Sequence, residues 1–286
     1  MNTSKPAAAL LFNALVWGLS WWPMRQIQAL GLHPLWTILF TLLIALAVIS
    51  LIQPNGWRGL LSNRALWLIA LCAGGTNACF NWAVAIGDVV RVVLLFYLMP
   101  LWSVFLGRFL LHEALSPMAF VRVGLAIAGA MLVLGWRQAG AAPLGLADGL
   151  AIAGGVFFAL NNVMLRQQAR CSEAARTLAM VVGGIVVSMP LALLLSARGL
   201  IPSLPTVSVL LVLAVVVSGL VILGANLALQ YGAGRLRAQV TAMIMLFEVP
   251  VAALSSWVMG SGRLDAQVLA GGACILSATL LAIWKP

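Results

Sequence analysis

Residues Val92 to Leu111 read VVLLFYLMPLWSVFLGRFLL, and the pattern returns in altered form from Val240 to Met259 as VTAMIMLFEVPVAALSSWVM. Each stretch is an apolar run of membrane-spanning length with one proline near its middle, Pro100 and Pro250. A proline there removes a backbone donor and clashes with the preceding turn, so each helix is expected to bend and to leave a carbonyl free at the bilayer midplane. Loosened backbone at that depth is tolerated only where it faces protein or a cavity. Paired interruptions in two halves of a chain point to the binding site of a transporter, and these two helices are expected to wall its substrate path.

Working outward, composition sets the class. The chain has 286 residues, 63% of them hydrophobic and 8% charged, too little polar side chain to cover a soluble domain. It reads as an all-α integral membrane protein. The net charge of +10 comes from basic residues scattered singly between apolar runs, with no basic stripe or aromatic-rich face, which argues against a nucleic-acid partner. Cys72, Cys79, Cys171 and Cys274 show neither metal-ligand spacing nor a disulfide framework and read as small packing residues.

Runs of about 17 to 25 apolar residues suit a hydrocarbon core of about 30 Å and predict ten transmembrane helices. They span Ala7 to Pro23, Pro34 to Leu51, Leu66 to Ile86, Val92 to Leu111, Ala119 to Trp136, Leu146 to Leu165, Thr177 to Leu195, Val207 to Leu229, Val240 to Met259 and Val268 to Trp284. The Gly140-Ala-Ala-Pro143 link divides them into residues 1–139 and 140–286. The first run follows Lys5, but Trp21-Trp22-Pro23 is a poor cleavage site, so it is read as a mature helix.

The second half repeats the first. A shift of 141 positions lays Met24-Arg25-Gln26 on Leu165-Arg166-Gln167, Trp17 on Phe158, and Ser20-Trp21 on Asn161-Asn162. A shift of 149 lays Asn77 on Asn226, Asn81 on Gln230 and Trp82 on Tyr231, and a shift of 150 lays Pro100 on Pro250. Five helices per copy is an odd number, so the second copy is expected upside down, giving two inverted five-helix repeats around a central cavity.

With these motifs in register the chain resembles the EamA-type repeats of the drug/metabolite transporter superfamily. The residues that carry the resemblance are Trp17-Gly18, Phe96-Tyr-Leu-Met-Pro-Leu-Trp102 followed by Glu113, and Phe247-Glu-Val-Pro250. It implies a ten-helix exporter of small metabolites, commonly amino acids, with a branch that exports aromatic and other neutral amino acids. The chain departs from the family pattern after the second proline helix, where Gly-Glu is usual and Gly262 is followed by Arg263.

Asn77 and Asn81 share a helix face, as do Asn226 and Gln230. Such amides offer hydrogen bonds without charge and suit a neutral or zwitterionic solute. Singly, each reads equally well as glue between helices; the repeated pair favours a pocket. Trp17 and Trp21, with Ser20 between, face Phe158, Asn161 and Asn162 in this reading, while Trp82 and Tyr97 lie near the amides and the proline, with Tyr231 as the counterpart of Trp82. Aromatic faces there hold an apolar side chain or an ammonium group. Trp36, Trp57, Trp67, Trp136 and Trp284 read as interfacial anchors.

Glu248 is the only carboxylate well inside a predicted helix. An ionised acid at midplane costs about 2.5–3.5 kcal/mol, so Glu248 is expected to face the cavity, to pair, or to stay protonated. It is a candidate for coupling transport to protons, or a neutral group bonded to the carbonyl freed by Pro250. Its counterpart at the 150 shift is Leu98.

Small residues four apart, Gly124 with Ala128 and Ala270 with Cys274 and Ala278, suggest that helices five and ten pack against each other or against a second copy in a homodimer. An enzyme would need a cluster of nucleophile, base or metal ligands, yet His33 and His112 both stand at helix ends, and no P-loop, cofactor motif or metal site is evident. The remaining readings are a secondary transporter of a small molecule, a nucleotide-sugar or sugar-phosphate antiporter, and a non-transporting scaffold. Phosphate recognition would want Lys or Arg in the pocket, and no Lys falls within any run.

Lys5, Arg58, Arg64, Arg108, Arg122, Arg166, Arg170, Arg176, Arg235, Arg237 and Lys285 fall on one side, against Arg25, Arg91, Arg137, Arg198 and Arg263 on the other. Since cytoplasmic loops collect Lys and Arg, both termini are expected in the cytoplasm of a bacterial-type inner-membrane protein, surrounded by lipid. Reporter fusions before Lys5 and after Lys285 should accordingly report cytoplasm and one at Ala141 the outer face; a C-terminus outside would overturn both the orientation and the inverted repeat.

Overall fold

The computed structural model describes residues 4–114, 116–134, 143–260 and 265–284, and every regular element among them is a helix. Trp136, Arg137, the link from Gly140 to Ala142, the proposed boundary at 139/140, Gly262, Arg263 and Lys285 lie outside the described residues. Nine helices among the described residues are long and apolar enough to cross a membrane. The remaining expected run, Leu66 to Ile86, forms a helix of 23 residues, in which Asn77 and Asn81 interrupt an otherwise apolar sequence.

The chain opens with α1 (Ser4–Leu19) and α2 (Trp21–Ala29), joined through a turn at Ser20, so the first run continues past Pro23. Pro23 stands in the first turn of α2, where its missing N–H has no intrahelical role. Next come α3 (Pro34–Ile52), α4 (Asn55–Ser62), α5 (Arg64–Ile86), α6 (Val89–Phe96), α7 (Met99–Leu111) and α8 (Pro117–Leu134). The second half holds α9 (Leu146–Gln167), α10 (Glu173–Ala197), α11 (Val209–Ala233), α12 (Ala238–Met245), α13 (Glu248–Val258) and α14 (Ala266–Trp284). His33 caps α3, its Nδ1 accepting from the Leu35 N–H at 3.3 Å, and burial holds its imidazole below the ordinary histidine range, which favours this neutral acceptor.

Contacts between helix ends sort the bundle into two sides. On the near side, where α1 begins, Arg235 pairs with Glu173 at 2.8 Å, Arg166 Nη1 donates to the Gly234 carbonyl at 2.8 Å, and Asn63 Nδ2 donates to Gln168 Oε1 at 3.1 Å. On the far side Arg91 pairs with Asp148 at 2.7 Å, joining the starts of α6 and α9. The larger apolar cluster fills the near half and the middle, including Leu10, Leu66, Leu165, Leu178 and Met243 to Leu246. A second cluster, including Ile27, Trp36, Leu39, Ile185 and Leu211, joins α2, α3, α10 and α11 toward the far side.

The residues that let these helices touch are small, and the large ones point outward, as lipid requires. Leu51, Phe109, Val209 and Trp284 are exposed, whereas glycines sit where axes cross. A Cβ on Gly129 would stand 2.7 Å from the Gly271 carbonyl, and one on Gly271 would stand 2.6 Å from the Gly129 carbonyl, so α8 and α14 meet backbone to backbone. Of the expected stripe, Cys274 faces α8 and Ala278 is buried, while Gly124, Ala128 and Ala270 are exposed. The α5–α10 crossing is as close, with a Cβ on Gly74 at 2.7 Å from the Gly183 carbonyl.

A Cβ on Gly183 would fall on the backbone carbonyl of Ala70, which cannot rotate away. Gly183→Ala should therefore cost at least about 1–3 kcal/mol and lower the melting temperature of the purified protein. Gly224→Ala, with open space beside it, should melt at or above the wild-type temperature in the same intrinsic-fluorescence scan.

Candidate functional site

The two proline stretches do not bend as single helices; each breaks. α6 ends at Phe96 and α7 starts at Met99 with Pro100 in its first turn, while α12 ends at Met245 and α13 starts at Glu248 with Pro250 in its first turn. In a continuous helix the missing Pro250 N–H would have served the Leu246 carbonyl. That carbonyl instead accepts from the Val249 N–H at 3.1 Å, so the expected free carbonyl is absent at this break. The Phe96 carbonyl lies against Gly155, where a Cβ would approach it to 2.8 Å.

The breaks meet. Tyr97 Oη, in the first, donates to Glu248 Oε1, at the start of α13, across 2.9 Å. Glu248 therefore faces the cavity and pairs with a hydroxyl rather than with a backbone carbonyl. Gly18 brings α1 onto this point: a Cβ there would stand 2.7 Å from the Glu248 carbonyl. This close approach gives the Trp17-Gly18 pair a physical reason, since it sets the Trp17 ring at the cavity wall.

Around the junction lies a cavity of about 360 Å³. Of the residues singled out in the sequence, Trp17, Asn77, Tyr97, Phe158, Asn161, Asn226 and Glu248 line it. Reading the sequence missed Asn13, Thr41, Thr76, Phe80, Phe96 and Met180, which line it too. Asn13 carried a legible signal, an amide in the middle of an apolar run; the others became visible only when helices remote in sequence came together.

The remaining expected site residues lie outside the cavity. Ser20 donates to the Trp17 carbonyl at 2.7 Å, and Trp21 Nε1 donates to Ser255 Oγ at 2.9 Å, tying α2 to α13. Asn81 Nδ2 turns back to the Asn77 carbonyl at 2.7 Å, and Trp82 is exposed on the outside of α5. Asn162 is buried in the packing of α9, and Gln230 is buried with its Nε2 toward Met180 Sδ at 2.7 Å. Tyr231 stacks under Arg235 at 3.8 Å, close to the near side. Trp21, Asn81, Asn162 and Gln230 each stand four residues, about one 5.4 Å turn, beyond a lining residue (Trp17, Asn77, Phe158 and Asn226), which carries them past the cavity. The prolines act on the backbone; Pro100 is buried and the Pro250 ring lies beside Gly272.

The lining spans mid-depth, from Asn161, Met180 and Leu229 in the near halves of their helices to Met24, Ile38 and Phe80 toward the far side, and the near side is closed beneath it. Every residue of α12 is buried, and Leu10 packs against Gly232. His112, in the left-handed region at φ 53°, ends α7 and turns Glu113 back beside Gly107. Glu113 Oε1 accepts from the Ala238 N–H at 3.2 Å and thus caps α12 from a different part of the chain. Burial raises the Glu113 carboxyl above its ordinary range, an effect that the Ala238 N–H and the charges of Arg237 and Arg166 oppose.

This arrangement defines a polytopic all-α membrane protein with an internal cavity at two paired helix breaks. Residues 5–135 match the EamA-like transporter family, a segment that runs from α1 to the end of α8. Over that segment the chain is similar to the EamA-like transporters. A crystal structure of another protein, 20% identical, superposes with a TM-score of 0.82 over 98% of this chain and 96% of that one. At that identity the likeness concerns the fold alone. No curated protein matches the chain.

A carboxyl raised in the folded state contributes stability that is complete below its unfolded pKa and is lost as pH rises through the folded pKa. Glu113→Gln keeps an acceptor for the Ala238 N–H and removes the titration. Relative to this variant, wild type should lose melting temperature from acid to neutral pH, as read by scanning fluorimetry of both proteins across that range.

Proposed function

We propose that the chain is a secondary transporter that exports small neutral metabolites across the inner membrane, with neutral and aromatic amino acids the first class to test. One observation carries this reading: a cavity of small-molecule size, walled by aromatic rings and amides, lies where two discontinuous helices join mid-bundle. The EamA-like match of the first half supports it. In this reading residues 1–139 and 140–286 are inverted repeats that rock about Tyr97 and Glu248, both termini face the cytoplasm, and alternating access needs no cofactor and no enzymatic step. The state described here is then closed toward the cytoplasm. Trp17 and Phe158 hold the apolar part of the substrate, Asn77, Asn161 and Asn226 its polar part, and Glu248 is the candidate coupling group.

Sugar-phosphate or nucleotide-sugar antiport is the weaker reading, because among the described residues no Lys or Arg lines the cavity to hold a phosphate. A scaffold would have no use for a polar cavity at mid-depth. The experiment is counterflow in proteoliposomes loaded in turn with neutral amino acids, aromatic amino acids and sugar phosphates. Accumulation driven by one of the first two classes is expected. Accumulation driven by sugar phosphates alone would favour the antiporter, and none with any class would favour the scaffold.

A further inference from the structure

The polar groups that line the cavity are not balanced between donors and acceptors. Asn13 Nδ2 donates to the Ala225 carbonyl at 2.6 Å and Asn77 Nδ2 to the Ala73 carbonyl at 2.9 Å. A backbone carbonyl can only accept, so these bonds fix both amides with their NH2 groups engaged and their oxygens left over. Asn161 is turned the same way, its Nδ2 toward Met180 Sδ at 3.9 Å, and the oxygens of Asn13 and Asn161 are buried without a protein partner. The Thr41 and Thr76 hydroxyls donate to the Ile38 and Cys72 carbonyls, each at 2.8 Å, and Tyr97 donates to Glu248. Among the described lining residues, Asn226 is the one amide whose NH2 is not tied to the protein.

Charge leans the same way. Among the described residues, Glu248 is the one carboxylate that lines the cavity, and no Arg, Lys or His lines it to balance that charge. A buried carboxylate without a counter-charge favours a bound cation or a proton. Trp17, Phe80, Phe96, Tyr97 and Phe158 surround this acceptor-rich surface, and aromatic faces attract both an apolar ring and an ammonium group.

We propose that the cavity is a site for aromatic amine cations, and that it prefers an ammonium group on an aromatic body to the zwitterion with the same body. The ammonium places its N–H groups on Glu248 and the Asn77 amide oxygen, while the Asn13 and Asn161 oxygens, buried behind the wall, add negative potential beside it. A carboxylate added next to it finds only the Asn226 amide and the Trp17 indole N–H as untied side-chain donors among the described lining residues, and stands against the charge of Glu248. This deepens the transporter reading and rests on it for transport, but the binding preference can be measured by itself.

The test compares 2-phenylethylamine with phenylalanine on the purified, full-length protein by titration calorimetry, followed by counterflow of each compound in proteoliposomes. The amine should bind about tenfold more tightly or better, and Glu248→Gln, monodisperse on gel filtration, should remove most of that margin. Equal or tighter binding of phenylalanine to wild type overturns the proposal, as does undetectable binding of the amine or a Glu248→Gln variant that keeps the full margin. The wild-type comparison decides even if the variant fails to fold. Amine binding without counterflow of either compound would sustain the site and sink the transporter reading, whereas counterflow of phenylalanine without amine binding would do the reverse.

Discussion

The bond from Tyr97 to Glu248 joins the two places where the backbone leaves helical geometry at mid-depth. A break in a membrane helix exposes polar backbone that lipid cannot satisfy, so it survives only inside protein or beside a cavity. Here both breaks are inside, and they face each other. One is closed locally, by the Val249 N–H on the Leu246 carbonyl, while at the other the Phe96 carbonyl lies against Gly155 of α9. The cavity forms where the two half-helices diverge.

Holding the breaks in that position requires close packing around them, and glycine supplies it. Gly18 brings α1 onto the start of α13, Gly155 brings α9 onto the end of α6, and Gly74 with Gly183 brings α5 onto α10. Dispersion between backbones at these crossings replaces the hydrophobic force that lipid removes. The large side chains then belong outside, and the exposure of Leu51, Phe109 and Val209 follows from the same economy of space. The asymmetry between the two sides of the bundle has a local cause as well. Glu113 caps α12 from the turn after α7, and Arg166 holds Gly234, so the half-helix beneath the cavity is tied down at its start. On the far side Trp21 and Ser255 tie α2 to α13 beside the cavity rather than across it.

Much was legible in the sequence because the bilayer asks little of a fold beyond length and apolarity. The all-α class followed from composition and run length, and Pro100 and Pro250 marked where helices would be interrupted. The amide at Asn77 and the acid at Glu248 stood out because polar groups at membrane depth are costly enough to need a reason. The short α4 went unread, since eight residues of mixed character carry no signal of spanning length.

What only the tertiary structure decided is which side of each helix faces the cavity and which atoms remain available there. Asn77 lines the cavity while Asn81 turns back onto α5, and Trp17 lines it while Trp21 reaches Ser255; no pattern within one helix separates the members of these pairs. The partner of Glu248 is 151 positions away in sequence, and the engagement of the Asn13 NH2 by the Ala225 carbonyl spans 212. Hydropathy is a property of a segment and can be read one helix at a time. Donor and acceptor balance in a cavity is a property of several helices at once, set by rotations of a fraction of a turn that composition and spacing leave open.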